Sequence, residues 1–248
     1  MKKVLLIITS LTMILLFLGC TSQEEEELNE FGLLQRSNDI MGSADSLHIN
    51  FSRDMFISAF GFGTNVDMEG VAYIQKPNRR DVYIRTEISA DFMETTHQST
   101  AYFRNNHLYV IDHTTENIYQ SQISQDEFLN DFSSNLIDTE IDEEEVLTSS
   151  FENLDEDGFR LRFELNDAAI VRTLALQGEE IDTTAMRNGQ FRLTVYLDED
   201  YQQTHVFLHI TLTHLRPQNN SFETVELTIE MEIVSINDVV IEFPDDFN

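Results

Sequence analysis

Lysine is almost missing from this sequence. It occurs only at Lys2, Lys3 and Lys76, against 45 acidic residues, and the 248-residue chain carries a formal net charge of −30. A surface this acidic is a poor partner for nucleic acid, and for anionic lipid headgroups, over most of its area, because both present negative phosphate. An acidic, lysine-poor exterior also suits high salt or an alkaline medium, since lysine is the side chain that loses its charge first as pH rises. Cysteine occurs once, at Cys20, and tryptophan not at all. A lone cysteine excludes an intrachain disulfide and a thiolate-rich metal site. The patterns that announce common chemistries are absent too: no G-x-S-x-G elbow, no phosphate-cradling glycine loop and no H-E-x-x-H occurs. Carboxylates are so plentiful that an acid–base pair can be found by chance, so the sequence points away from an enzyme and implies no cofactor.

What is present begins with an address. Lys2 and Lys3 precede an apolar run, residues 4–18, broken only by Thr9, Ser10 and Thr12, and Gly19-Cys20 ends it. The run is short for a membrane-spanning helix and has the layout of a secretory signal. Its end, Leu16-Phe17-Leu18-Gly19-Cys20, resembles the lipobox of bacterial lipoproteins, with Phe17 where leucine is usual. In a lipobox a small residue precedes a cysteine that receives a diacylglyceryl thioether before the signal is removed. The resemblance implies loss of residues 1–19, a lipid anchor on Cys20, and a place on the extracytoplasmic face of the cell membrane. An uncleaved N-terminal anchor and an ordinary signal peptide with a chance cysteine are the alternatives. Residues 20–27 then read as an acidic tether and residues 28–248 as a single domain. The acidic run at 138–145 is the place where a boundary would fall, but the strands on its two sides look alike and each half is small for a core of its own.

Periodicity gives a mainly β chain of the α+β class. Leu28, Phe31, Leu33 and Leu34 place an amphipathic helix over 26–41, weakened by Gly32 and by Ser37-Asn38-Asp39. Alternation then predicts a strand from Leu47 through Ile57, a glycine-rich turn at 61–65, and strands over 66–75 and 81–89 separated by Pro77. Strands over 97–104 and 107–112 flank Asn105-Asn106, a two-residue hairpin turn, and 117–122 follows. Ser124 and Glu127 form a capping box that opens a short helix carrying Phe128, Leu129 and Phe132. The second half supplies strands over 146–151 and 159–165, a helix over 168–176 capped by Asn166-Asp167 and stopped at Gly178, and strands over 191–197, 204–213, 223–236 and 239–243.

Gly70 and Pro77 around the second and third strands, Tyr102 and Tyr109 on the hairpin, and the tail Ile241-Glu242-Phe243-Pro244, taken with the lipobox and this order of elements, resemble the lipoprotein-carrier (LolA-like) half-barrels, in particular a branch of lipoproteins from Gram-positive bacteria. Such chains often carry a tryptophan after the second tyrosine strand, where this one has Tyr119. The resemblance implies a curved antiparallel sheet, a half-barrel, with a few helices packed on its concave side and a cleft that relatives use for acyl chains. Periodicity alone gives only an antiparallel sheet with helices.

Three constellations compete for a functional reading. Asn153 to Glu164 fits a calcium-loop template of alternating oxygen ligands, but Phe159, Leu161 and Phe163 alternate with charged residues as in a strand, so an acidic hairpin turn is expected. His205 and His209 alternate with Val206, Leu208 and Ile210. On a strand they stand about 13 Å apart, too far to share an ion, and no metal is implied. Met55, Phe56, Phe60, Phe62, Met68, Phe92 and Met93 are candidates for a hydrophobic cleft, because methionine and phenylalanine adapt to varied apolar shapes; they serve equally as core. Two functions follow: a carrier or sensor of a hydrophobic molecule such as a lipid or acyl chain, or a non-catalytic structural or regulatory lipoprotein whose half-barrel its own side chains fill.

Overall fold

A computed structural model describes residues 29–59, 62–78, 81–92, 95–133, 137, 139, 141–176, 186–216, 221–244 and 247. Eleven strands form one antiparallel sheet: β1 Ser46–Ala59, β2 Phe62–Gln75, β3 Tyr83–Phe92, β4 Thr95–Arg104, β5 His107–Asp112, β6 Asn117–Gln122, β7 Val146–Asn153, β8 Phe159–Leu165, β9 Met186–Leu197, β10 Gln203–Arg216 and β11 Ser221–Ile236. Their order is β6-β5-β4-β3-β2-β1-β11-β10-β9-β8-β7. Two meanders therefore meet where β1 pairs β11, from Leu47↔Ile236 to Ala59↔Glu223. Among the described residues the sheet is curved and open, with β6 and β7 at its two ends.

Alternation decides what each strand contributes. Along β10, Val206, Leu208, Ile210 and Leu212 are buried, and the residues between them are only half-buried. The same period runs through Leu161, Phe163 and Leu165 on β8, Leu193, Val195 and Leu197 on β9, and Val225, Leu227 and Ile229 on β11. Those rows form one core face. Among the described residues three α-helices accompany the sheet: α1 Glu30–Ser43, α2 Gln125–Ser133 and α3 Asp167–Leu176. Leu33 and Leu34 of α1 and Ala169, Ile170 and Leu174 of α3 close onto the core. Helices α1 and α3 lie over β7, β8 and β9, with the Phe31 ring of α1 5.5 Å from that of Phe163, while α2 stacks Phe128 on Phe103 of β4 at 4.2 Å, beside Ile84 of β3.

Local signals explain the element ends. Asn29 caps α1 by accepting from the Gly32 amide at 2.8 Å, and α1 continues through Ser43 because the polar cluster 37–39 is accommodated, Ser37 being fully buried. Ser124 Oγ accepts from the Glu127 amide at 3.2 Å, as a capping box requires. Asn166 Oδ1 accepts from the amides of Ala168 and Ala169 at the start of α3; Gly178 lies outside the described residues. Asn105 and Asn106 take φ of 53° and 63°, which fits a type I′ hairpin turn.

Two expectations are corrected. Residues 62–65 of the expected turn at 61–65 are strand instead, because β2 already begins at Phe62 and pairs with Ala59. Gly63 belongs to that strand, and the Phe56 ring lies so close to it that an added Cβ would stand 2.5 Å away. Residues 239–243 form no strand. Their amides go to side chains, Val239 N donating to Ser46 Oγ at 3.0 Å and Ile241 N to Gln75 Oε1 at 3.3 Å, while Phe243 packs among Tyr83, Tyr102 and Phe247.

Candidate functional site

The core face continues from β11 onto β1 and β2. Leu47, Ile49, Phe51 and Met55 are buried on β1, and register places Met55 beside Val66, Arg53 beside Met68, and Phe51 beside Gly70. Gly70 is needed there: a Cβ would stand 2.6 Å from Phe51 Cζ and 2.6 Å from the Glu87 carbonyl oxygen. Beyond this line the face changes character. Ile57, Val66, Met68 and Ile88 are half-buried and pack against the edge of the core, not inside it.

The cleft candidates therefore separate. Met55 is 5% exposed and belongs to the core. Met68 stands next to it, half-buried, across the register from Arg53. Phe62 is 82% exposed and, six residues before Met68, shares its face by alternation. Phe56, one residue from Met55, points to the opposite face over Gly63. Phe92 ends β3 opposite Val66, and its side chain is outside the described part, as are Phe60, Met93 and Cys20.

Two cavities open on the opposite face. One groove of about 750 Å³ crosses β11, β1, β2, β3 and β4, walled by Glu230 and Glu232, Asn50, Glu69, Glu87 and Thr100. Glu232 accepts from Asn50 Nδ2 at 2.9 Å, Glu87 is bridged by Arg85, and Thr100 is joined to the His113 ring at 2.8 Å. A second cavity of about 680 Å³ is lined by Arg162, Glu164, Arg192 and Tyr196 among others. Carboxylates, amides and guanidinium groups line these spaces, and an acyl chain entering either would bury them against hydrocarbon at a cost.

The remaining candidates resolve into local structure. Residues 153–164 are a hairpin, with Asn153 paired to Phe159, a short 3-10 turn over Asp155–Asp157 and Gly158 at its end. His205 and His209 lie on β10, the first stacked on Phe207 and 3.9 Å from Glu232, the second bonded to Thr228 and Thr211. Among the described residues no three His, Cys, Asp or Glu side chains could hold a metal ion together, and no helix is long and apolar enough to cross a membrane. The Asp112 carboxyl is held below its ordinary range, chiefly by the Thr115 hydroxyl, then by the Thr115 and Thr114 amides; it closes the turn between β5 and β6.

Two polar features were not singled out from the sequence. Arg53 stands in the apolar row of β1. His214 and Glu223 face each other at 2.9 Å, 8% and 3% exposed, at the end of the apolar rows of β10 and β11. The signal was available in both cases. His214 continues Val206, Leu208, Ile210 and Leu212, and Glu223 precedes Val225, Leu227 and Ile229, each in step with its row.

An open, curved antiparallel sheet with helices against one face is a half-barrel. Its structure is similar to that of LprF from Mycobacterium bovis, with 10% identity and a TM-score of 0.45 over 86% of this chain and 94% of that one. It is also similar to a DUF1329 family protein from Desulfovibrio piger, with 11% identity and a TM-score of 0.28 over 86% and 93%. A putative outer membrane lipoprotein-sorting protein domain from Vibrio parahaemolyticus shares 9% identity, with a TM-score of 0.27 over 86% and 96%. No protein-family model and no curated protein matches the chain. What this chain does is decided by its own side chains and not by these likenesses.

Proposed function

We propose that the protein is an extracytoplasmic lipoprotein, tethered to the membrane by a lipid on Cys20, that holds a hydrophobic ligand such as an acyl chain without catalysis. The observation that carries this reading is that, among the described residues, the apolar face outruns its helical cover. Helices α1 and α3 lie over β7, β8 and β9 and α2 lays Phe128 on Ile84 and Phe103 of β3 and β4, whereas between them Ile57, Val66, Met68 and Ile88 on β1, β2 and β3 remain half-buried and Phe62 stands exposed at the end of the same row. An acyl chain laid along them gains about 0.8 kcal/mol for each methylene it buries. Met68 and Phe62 are the cleft residues in this reading, with Met55 as the core residue beside them and Phe60, Phe92 and Met93 proposed from the sequence; Phe56, on the other face, is left out.

The second reading, an interaction lipoprotein with a filled half-barrel, is favoured by a different observation. Phe51 and Met55 are 4% and 5% exposed, and Phe51 already occupies the space over Gly70.

Native mass spectrometry of the full-length protein released from detergent, followed by lipid extraction, separates the two. Co-purifying lipid is expected, and Phe62→Asp should weaken its retention about tenfold, the equivalent of losing a phenyl contact of roughly 1.5 kcal/mol. A protein that is always empty, with Phe62→Asp indistinguishable from wild type, leaves the filled half-barrel in its place. The same spectra test the anchor. The wild-type mass should show loss of residues 1–19 and a diacylglyceryl group, and Cys20→Ala should be released from membranes or keep its signal; an unmodified cysteine in the wild type removes the lipoprotein claim.

A further inference from the structure

The geometry points to a second ligand site, on the opposite face of β7 to β10, that takes a small soluble phosphate monoester; it uses none of the side chains of the carrier reading. Strand register sets side chains in rows across that face, and the central row runs Ser150, Arg162, Thr194, Phe207. The rows on either side are closed by their own charges. In one, Glu152 is bridged by Arg160, which also donates to Tyr196. In the other, Glu164 stands 3.6 Å from Arg192 and accepts from Thr148 Oγ1 at 3.3 Å. The central row is left open. Among the described residues the Arg162 guanidinium has no ion pair and no hydrogen bond, and neither the Ser150 nor the Thr194 hydroxyl beside it has a partner.

This row lines the cavity of about 680 Å³, a size within the range of about 300–1,000 Å³ that small-ligand pockets occupy. Three arginines face two glutamates on the patch, so one positive charge is left over in a chain of net charge −30. That charge is permanent, because a guanidinium keeps its proton at any physiological pH. Neighbouring strands stand about 4.8 Å apart, so the two hydroxyls flank the Arg162 fork closely enough to serve one tetrahedral anion with it. A phosphate monoester offers three strong acceptor oxygens, two for the fork and one for the hydroxyls. A carboxylate has only two, and leaves the hydroxyls to water. The Arg192–Glu164 pair is 58% and 54% exposed, and so weak a surface pair lets Arg192 turn to the same anion. Phe207 and Tyr196, with rings 5.8 Å apart, wall the cavity against the organic part of the ester. An anionic bilayer must also face the acidic exterior around the patch, whereas a small ester lies within the screening length, about 8 Å at physiological ionic strength, and feels mainly the patch.

The test titrates phenyl phosphate against the full-length protein in detergent and follows broadening of the ligand's phosphorus resonance. Saturable binding to wild type is expected, and Arg162→Gln should weaken it at least about tenfold through the loss of charge-assisted bonds. Lys76→Gln removes the same charge from a distant place, where the ammonium donates to the Gly42 carbonyl, and should change binding by less than about twofold. Benzoate should compete at least about tenfold less well than phenyl phosphate, and phenol not at all. Wild type that shows no saturable binding overturns the site. Equal losses in Arg162→Gln and Lys76→Gln reduce it to the general charge of the chain, and the site falls. Benzoate or phenol competing as well as phenyl phosphate overturns the phosphate assignment. Dihexanoyl phosphatidic acid, kept below its micelle concentration, distinguishes the source of the phosphate: if it displaces phenyl phosphate more than about tenfold better than phenyl phosphate displaces itself, and that advantage is lost in Arg162→Gln, the occupant is a lipid headgroup and the soluble ester is overturned. Should Arg162→Gln fail to accumulate, Ser150→Ala at its exposed position decides: binding about threefold weaker is expected, and unchanged binding overturns the row as the site.

Discussion

Replacing His214 by alanine is expected to destabilise the protein by about 3 kcal/mol or more, a fall in melting midpoint of roughly 6–12 °C for a chain of this size. The imidazole and Glu223 meet at 2.9 Å with 8% and 3% of their side chains exposed. Removing one partner strips a buried carboxyl group of its imidazole and opens a cavity beside Leu212, which is fully buried next to it on the same row. His205 provides the control, because it makes a chemically similar pair with Glu232 in a different place. That pair is 3.9 Å apart and 42% and 49% exposed, and exposed pairs contribute about 0–1 kcal/mol. His205→Ala should therefore cost under about 1 kcal/mol. Urea unfolding of the two variants checks the contrast; equal losses would mean that burial does not decide the strength of these pairs.

The contrast also marks where the sequence was legible. Strand positions followed from period-two alternation, and the hairpin at Asn105-Asn106, the Ser124 capping box and the Asn166 cap followed from residues whose side chains or φ preference act within three or four positions. Local physics was enough there. It was not enough for residues 239–243, whose apolar run reads as a strand but whose amides find Ser46 and Gln75, close to two hundred positions away in one case. Nor was composition a guide to faces. Met55 and Phe56 look like members of one apolar cluster, yet consecutive strand residues must point to opposite sides, and strict parity along the strand is enough to separate them. The same parity marks Arg53, His214 and Glu223 as polar residues in apolar rows. The acidic groove is of another kind. It arises because β11 and β1 to β4 bring Glu230, Glu69 and Glu87 side by side through long-range pairing, and nothing within any one of those segments announces it.

Gly158→Ala should be nearly as costly as the loss of His214, about 3 kcal/mol, and for a reason that separates hairpin from cation loop. Gly158 holds φ 87° and ψ −127°, a conformation open essentially to glycine alone. Even without that strain there is no room. A Cβ would stand 2.1 Å from the Leu197 carbonyl oxygen and 2.7 Å from the Asp198 carbonyl carbon. Both are backbone atoms, so no rotamer change relieves the clash, and either β8 must draw away from β9 at the Phe159↔Leu197 pair or the turn must rearrange. Leu154 N, which donates to the Gly158 carbonyl at 2.8 Å, would lose its geometry with it. Gly42 in α1 is the opposite case: nothing lies within 4 Å of a Cβ built there, and Gly42→Ala should stabilise by about 0.5–1 kcal/mol through helix propensity and a less flexible unfolded chain. Thermal melts of wild type and both variants, each with calcium chloride and with a chelator, distinguish the two kinds of loop. A hairpin glycine gives the same loss in both solutions. A loss that appears only with calcium present would return the segment from Asn153 to Glu164 to the cation-loop reading that its strand alternation argues against.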